Sequence, residues 1–190
     1  ADGSMETWGT ASGEDDLDLR GFLVGSEGTV GIAVRIGVRL VPIPEAVETF
    51  LAAYPDMQTA CDTVTAIVAS GTTPVALEVM DQCAVEAVEN SNFRAGLPRH
   101  AGAVLLVEVE GDRARVSSEA AALENLLAEH QPLEVRRAAD EKERLLLWKA
   151  RKGAGGALGQ LGPDTYVMDG VVPRSKLAEV MAFVEGIQKE

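Results

Sequence analysis

Downstream of Pro44 the apolar positions change repeatedly between a two-residue and a 3.6-residue period, the mark of alternating strands and helices. Ala46–Ala53 fits either state, with Thr49 and Phe50 compatible with a strand. Asp56 is placed to cap a helix over Met57–Ala69, with Ala60, Val64, Ile67 and Val68 inward and Gly71 as the stop. A strand over Val75–Met80 and a helix over Gln82–Glu89 follow. Gly102–Val109 is the clearest strand, rich in β-branched residues. Ser117–Glu129 reads as an amphipathic helix carrying Ala121, Leu123, Leu126 and Leu127, and Leu133–Ala138 as a strand. Asp140–Leu158 reads as a helix that loosens at Gly153-Ala154-Gly155-Gly156. A strand over Thr165–Val171 and a helix over Ser175–Gln188 complete the pattern. Two successive strand–helix–strand units with short links predict an α+β fold, a ferredoxin-like antiparallel sheet covered by helices on one side.

The first 44 residues read differently. Ser4–Trp8 looks extended, Ser12–Asp16 is a polar loop, and Leu17–Leu23 is a short helix. Ile32–Val41 alternates as a strand, with Val34, Ile36, Val38 and Leu40 on one face and Arg35 and Arg39 on the other. Pro42 and Pro44 stop that strand and mark a boundary between a domain portion at 1–44 and a domain at 45–190. Between helix and strand lies Gly25-Ser26-Glu27-Gly28-Thr29-Val30-Gly31-Ile32. Glycines with Ser and Thr between them suit a flat or phosphorylated ligand held by main-chain N–H groups, and they equally suit a tight structural turn.

Composition narrows the function classes. The chain has 190 residues, 46% hydrophobic and 25% charged, enough for one substantial core. Thirty acids against 17 bases give a net charge of −13, which disfavours nucleic acid because phosphate contact needs clustered Lys and Arg. A small anionic substrate stays open, since one Arg can dominate a pocket. No apolar run is long enough for a membrane span, and the start does not read as a signal peptide. The cytoplasm, or a membrane surface within a complex, is the expected location. Cys61 and Cys83 have no metal-type spacing, and free thiols or a disulfide remain open. His100 and His130 have no Asp or Cys cluster beside them, so no metal site is predicted.

Taken as a string, Asp18-Leu19-Arg20-Gly21-Phe22-Leu23 and the glycine-rich turn resemble the signature of FAD-linked oxidases and dehydrogenases of the vanillyl-alcohol oxidase type. The resemblance continues in the family's order through Pro74–Asp81, Leu147–Lys152 and Asp164–Arg174. Within the family it is similar to the branch oxidising D-2-hydroxy acids, and most similar to glycolate oxidase FAD subunits. The resemblance implies that Gly25, Ser26, Glu27, Gly28, Thr29, Gly31 and Ile32 contact FAD. It makes Ala46–Ala53 a strand and the later domain a cap over the substrate. It further implies hydride transfer from glycolate or D-lactate to flavin, and assembly with a second flavin subunit and an iron–sulfur subunit.

Family members also carry a pyrophosphate-binding half before this stretch and a His-x-x-x-Asp-Gly-Asn-x-His segment after it. The chain is therefore expected to be an internal piece of a longer polypeptide, silent by itself, with an N-terminal arm able to pair with a second copy. A ferredoxin-like binding or assembly module without activity is the alternative.

Arg151 is the first candidate for chemistry. A planar guanidinium holds a carboxylate through two parallel hydrogen bonds, and the resemblance places Arg151 on the substrate carboxylate. The other reading is an exposed Arg partnered by acids one helical turn away. Lys152 is a second substrate cation or a solvated one. Gly153–Ala157 carries no hydroxyl or further cation, and Val167 stands where dicarboxylate-specific relatives have a lysine, so a small monocarboxylate is expected. Glu78 and Asp81 invite an acid–base reading, against which stands capping of the next helix by Asp81. Trp148 is read as packing, a wall beside Arg151.

Overall fold

Asp18, Asp56, Asp81, Asp112 and Asp140 start five helices of the computed structural model in the same way. Each carboxylate accepts a backbone N–H from the first turn, a cap that contributes about 1 kcal/mol. The helices are α1 (Leu19–Leu23), α2 (Met57–Ala69), α3 (Gln82–Glu89), α4 (Arg113–Glu129) and α5 (Glu141–Leu158). A single 3-10 turn at Arg174–Lys176 leads into α6 (Leu177–Gln188). The structure describes residues 3–9, 17–162, 164, 167 and 169–188. It divides into two units, Ala1–Pro42 and Ile43–Glu190.

In the second unit β1 (Ala46–Tyr54), β2 (Ala76–Asp81), β3 (Ala103–Gly111) and β4 (Glu134–Arg137) form one sheet in the order β2-β3-β1-β4. All neighbours are antiparallel, with Tyr54 opposite Ala103, Asp81 opposite Ala103 and Phe50 opposite Arg137. Helices α2 and α4 connect β1 to β2 and β3 to β4, which is the ferredoxin-like split β-α-β arrangement. The α+β prediction holds in architecture.

Three details of the prediction are corrected. The helices cover both faces of the sheet and not one. Phe50, Ala52, Tyr54, Leu105 and Val107 pack against Ile67 of α2 and Leu123 and Leu127 of α4. Leu51, Ala53, Val104 and Leu106 pack with Val85 and Val88 of α3 and Leu147 and Ala154 of α5. The cause is visible in β1 and β3, whose residues Phe50–Tyr54 and Ala103–Val107 are all fully buried; a strand apolar on both sides needs two covers. Second, α4 begins at Arg113, ahead of Ser117, because Asp112 supplies the cap. Third, α5 stays helical through its glycines. Gly153 lies against the Phe93 ring so closely that a Cβ would fall inside the ring's envelope, and the stretch is anchored by buried Ala150, Ala154 and Ala157.

Two expected strands are absent among the described residues. Residues 31–44 form no ladder, and Ile32, Val34, Ile36, Val38 and Leu40 are all exposed. Alternation describes a face, but a strand also needs a hydrogen-bonding neighbour, and none is paired to this stretch. Of the expected strand over Thr165–Val171, residues 167 and 169–171 carry no strand. Thr165, Tyr166 and Met168 lie outside the described residues, as does the polar loop Ser12–Asp16.

Candidate functional site

Arg144, Trp148 and Arg151 recur at i, i+4 and i+7 of α5 and so share one face of it. That face meets two carboxylates of the sheet. Glu108 of β3 is opposite Thr49 of β1, and both side chains are buried. Arg144 grips Glu108 bidentately, Nη2 to Oε1 and Nε to Oε2, each at 2.9 Å. Trp148 Nε1 and Thr49 Oγ1 each donate to Oε2 at 2.5 Å. Burial pushes the Glu108 carboxyl up. The hydrogen bonds from Arg144, Thr49 and Trp148, with the Arg144 charge, more than offset this and hold it below the ordinary glutamate range. The same bond raises Arg144 further above its already high value. A buried charge is tolerable when paired and fully hydrogen-bonded, and Glu108 meets that condition. The sequence reading passed over Glu108.

One turn on, Arg151 meets Glu78 of β2. Its Nε and Nη2 both donate to Oε2 of Glu78, at 3.1 and 2.7 Å. The side chains are 35% and 38% exposed, so the pair is half-buried and open to solvent on one side. Glu78 and Glu108 lie at even positions of β2 and β3, with Ala76 opposite Glu108 and Glu78 opposite Leu106, and project to the same face. Nη1 of Arg151 has no partner among the described residues. Arg151 is thus neither an exposed cation nor one held by an acid a helical turn away.

Lys152 is exposed and lies one helical turn past Trp148. It borders a shallow hollow of about 460 Å³ lined by Phe93, Leu145, Trp148, Lys149, Gly153 and Gly156. Trp148 is shared: its indole nitrogen is tied to Glu108 while its ring borders the hollow. Gly155, one turn beyond Arg151, opens onto empty space.

The glycine-rich loop belongs to the first unit. Gly25 and Gly28 have φ of +78° and +79°, and Glu27 between them has +50°. Thr29 closes the turn, its backbone N–H and hydroxyl both donating to the Ser26 carbonyl at 2.9 and 2.6 Å. A Cβ at Gly25, Gly28 or Gly31 would meet nothing within 4 Å. The positive φ values account for glycine at 25 and 28, whereas at 31 neither backbone nor neighbour demands it. Among the described residues, the N–H groups of Glu27, Gly28, Val30 and Gly31 donate to no other residue. Exposed main-chain donors around positive-φ residues fit one wall of a site for an anionic or flat ligand.

The remaining candidates resolve simply. Asp81 caps α3 by accepting from the Ala84 N–H at 2.8 Å. Cys61 is buried and Cys83 exposed, both free, and burial raises both thiols above their ordinary value. Among the described residues no cluster of His, Cys, Asp and Glu is arranged to hold a metal, and no helix is long and apolar enough to cross a membrane.

Comparison with known proteins adds an independent line. The family model for FAD linked oxidases, C-terminal domain, matches residues 43–190. Glycolate oxidase subunit GlcD of Escherichia coli K12 is 36% identical over 182 residues, covering 93% of this chain and 36% of that protein. GlcD of Bacillus subtilis 168 is 37% identical over 170 residues, covering 90% of this chain and 36% of that protein. The probable mitochondrial D-lactate dehydrogenase of Danio rerio is 29% identical over 174 residues, covering 90% and 34%. The chain thus spans little more than a third of the length of these relatives. Among solved structures, alkyldihydroxyacetonephosphate synthase shares the fold, with a TM-score of 0.62 at 16% identity over 90% of this chain and 37% of that one.

Proposed function

This chain belongs to the FAD-linked oxidases, C-terminal domain family, and we propose that it works within an FAD-dependent oxidoreductase that oxidises a small D-2-hydroxy acid, glycolate or D-lactate. The bound flavin supplies the hydride acceptor. The names of the relatives, glycolate oxidase subunit and D-lactate dehydrogenase, support the substrate class. Residues 45–190 are read as the substrate-side domain, and 1–44 as the last portion of the FAD-binding domain. Gly25, Ser26, Glu27, Gly28, Thr29, Gly31 and Ile32 are read as one wall for the flavin. The relatives named as subunits support assembly into a complex, and a second flavin subunit and an iron–sulfur subunit are the proposed partners.

The observation that carries the substrate reading is the end of the Arg151 guanidinium that Glu78 leaves unengaged. A substrate carboxylate bound there is fixed in orientation by two parallel N–H donors. Lys152, on the neighbouring face, is proposed as a second, weaker attraction for the anion. Gly155 provides no side chain to hold a distal carboxylate, which favours a short monocarboxylate.

The test uses the full-length, flavin-loaded protein with glycolate and D-lactate as substrates and dye reduction as the readout. Losing a charge-assisted contact costs about 1.5–3 kcal/mol. Arg151→Lys is therefore expected to raise KM roughly 10- to 100-fold while flavin content and melting temperature stay near wild type. An unchanged KM returns Arg151 to a structural role.

A further inference from the structure

We propose that the hollow beside α5 is a second ligand site, which takes a flat aromatic carboxylate. The ring lies against Phe93 and Trp148, and the acid group meets the ammonium groups of Lys149 and Lys152. This site is separate from the Arg151 anchor and does not depend on Arg151 holding the substrate.

The walls are formed in advance. The Trp148 ring borders the hollow while its indole N–H is held by Glu108, which fixes the ring's orientation. Phe93 lies across Gly153, too close for any side chain to fit between helix and ring. Leu145, 55% exposed, adds an apolar edge. At about 460 Å³ the hollow is within the usual size of small-molecule sites. A ring laid there removes three apolar side chains from water. Gly156 keeps the floor bare. Glycine is the poorest helix former after proline, yet a Cβ at 156 would make only an ordinary contact, 3.8 Å from Phe93 Cε2. The packing of the unit therefore does not require glycine there, and the missing side chain leaves room for a group that approaches the helix.

Charge selects an acid. Arg144 and Arg151 of α5 are each paired with a glutamate of the sheet. Lys149 and Lys152 also border the hollow, but among the described residues neither forms an ion pair or a hydrogen bond. They stand three residues apart on α5, so their like charges repel across one turn with no counter-charge. This is so in a chain that has 30 acids against 17 bases. An anion bound at the pair relieves the repulsion. A bare inorganic anion would leave the rings unused, and a neutral ring would leave the ammonium groups unpaired. An aromatic carboxylate satisfies both.

The experiment titrates the full-length, flavin-loaded protein by calorimetry with three probes. These are 2-naphthoate, 2-naphthylmethanol, which keeps the ring without the charge, and acetate, which keeps the charge without the ring. 2-Naphthoate is expected to bind once per polypeptide with a Kd below roughly 1 mM, and 2-naphthylmethanol roughly 3- to 10-fold more weakly. Acetate is expected not to displace 2-naphthoate. Gly156→Leu fills the floor where the fold has room. It is expected to abolish binding of both ring compounds while the melting temperature stays at or above wild type. Lys149→Gln is expected to weaken 2-naphthoate about 2- to 5-fold and to leave 2-naphthylmethanol unchanged. Its side chain is exposed, so this variant also serves should the leucine variant fail to fold.

Arg151→Lys separates this site from the substrate site. It is expected to leave the 2-naphthoate Kd unchanged, whatever it does to the KM for glycolate, so the two readings fail separately. Loss of 2-naphthoate binding in Arg151→Lys places the ring acid at the substrate anchor and overturns the proposal. Binding that survives Gly156→Leu overturns it too, as does a full-length protein that binds no 2-naphthoate.

Discussion

Replacing Glu108 by Gln tests how much of the second unit depends on one buried carboxylate. The carboxylate accepts four hydrogen bonds, two from Arg144 and one each from Thr49 and Trp148. An amide offers one acceptor oxygen and one NH2. With its oxygen at the Oε2 position it keeps three donors, but its NH2 then faces Nη2 of Arg144, donor against donor. One charge-assisted bond is lost outright, about 1.5–3 kcal/mol, and the others weaken to ordinary strength. Breaking a fully buried ion pair costs about 3–5 kcal/mol. Here Arg144 is 23% exposed and keeps Glu141 at 3.0 Å, so solvent and the second partner reduce the loss. The expected destabilisation is about 2–3 kcal/mol at pH 7, or roughly 5–10 °C in melting temperature for a unit of this size.

The pH dependence has a definite sign. The folded-state pKa of Glu108 is depressed, so its contribution is present above the ordinary value of 4.5 and is lost as pH falls below that value toward the folded one. Wild type should therefore lose stability relative to Glu108→Gln below about pH 4.5, and the two curves should converge. Urea unfolding of the 190-residue chain, followed by circular dichroism and tryptophan fluorescence, measures both effects. Equal midpoints at pH 7, or parallel curves down to acid pH, would refute the account of this network.

Two further substitutions probe other parts of the molecule. Gly28→Val forces a β-branched residue to φ of +79°, at a cost of about 1–3 kcal/mol of local strain. Because the loop is exposed, the second unit should keep its urea midpoint while the full-length protein loses its flavin absorbance; retained stoichiometric flavin would remove this loop from the cofactor site. Gly153→Ala places a methyl group in the Phe93 ring and should cost about 1–3 kcal/mol by overpacking. Adding Phe93→Ala should recover part of that loss in a double-mutant cycle, and additive costs would show that the ring and the glycine do not share the contact.

Where a local signal existed, the sequence reading reached the structure closely. Met57–Ala69 and Gln82–Glu89 are helices with the boundaries read from Asp56 and Asp81, because an N-cap is encoded by one residue and its neighbours. The strand expected at Ile32–Val41 shows the converse. Its alternation was legible, but pairing depends on a partner that the pattern cannot specify. Glu108 went unread, and Glu78 was singled out without its partner, for a related reason. Each lies at least 36 positions from the α5 residue it binds, beyond the reach of any local rule. The trace they left is the lone acid inside the apolar run Val104–Val109, together with Arg144, Trp148 and Arg151 at helical spacing.

The order β2-β3-β1-β4 also has a consequence for biosynthesis. The first strand made is an interior one, whose neighbours β3 and β4 both lie far downstream. At a translation rate of about 5–20 residues per second, the stretch from Tyr54 to Ala103 takes roughly 2–10 s to complete. Throughout that interval Phe50-Leu51-Ala52-Ala53-Tyr54, apolar on both sides and buried completely in the finished fold, has no strand to pair with. While β3 is still being made, the nascent chain therefore carries an apolar segment that has no strand to pair with.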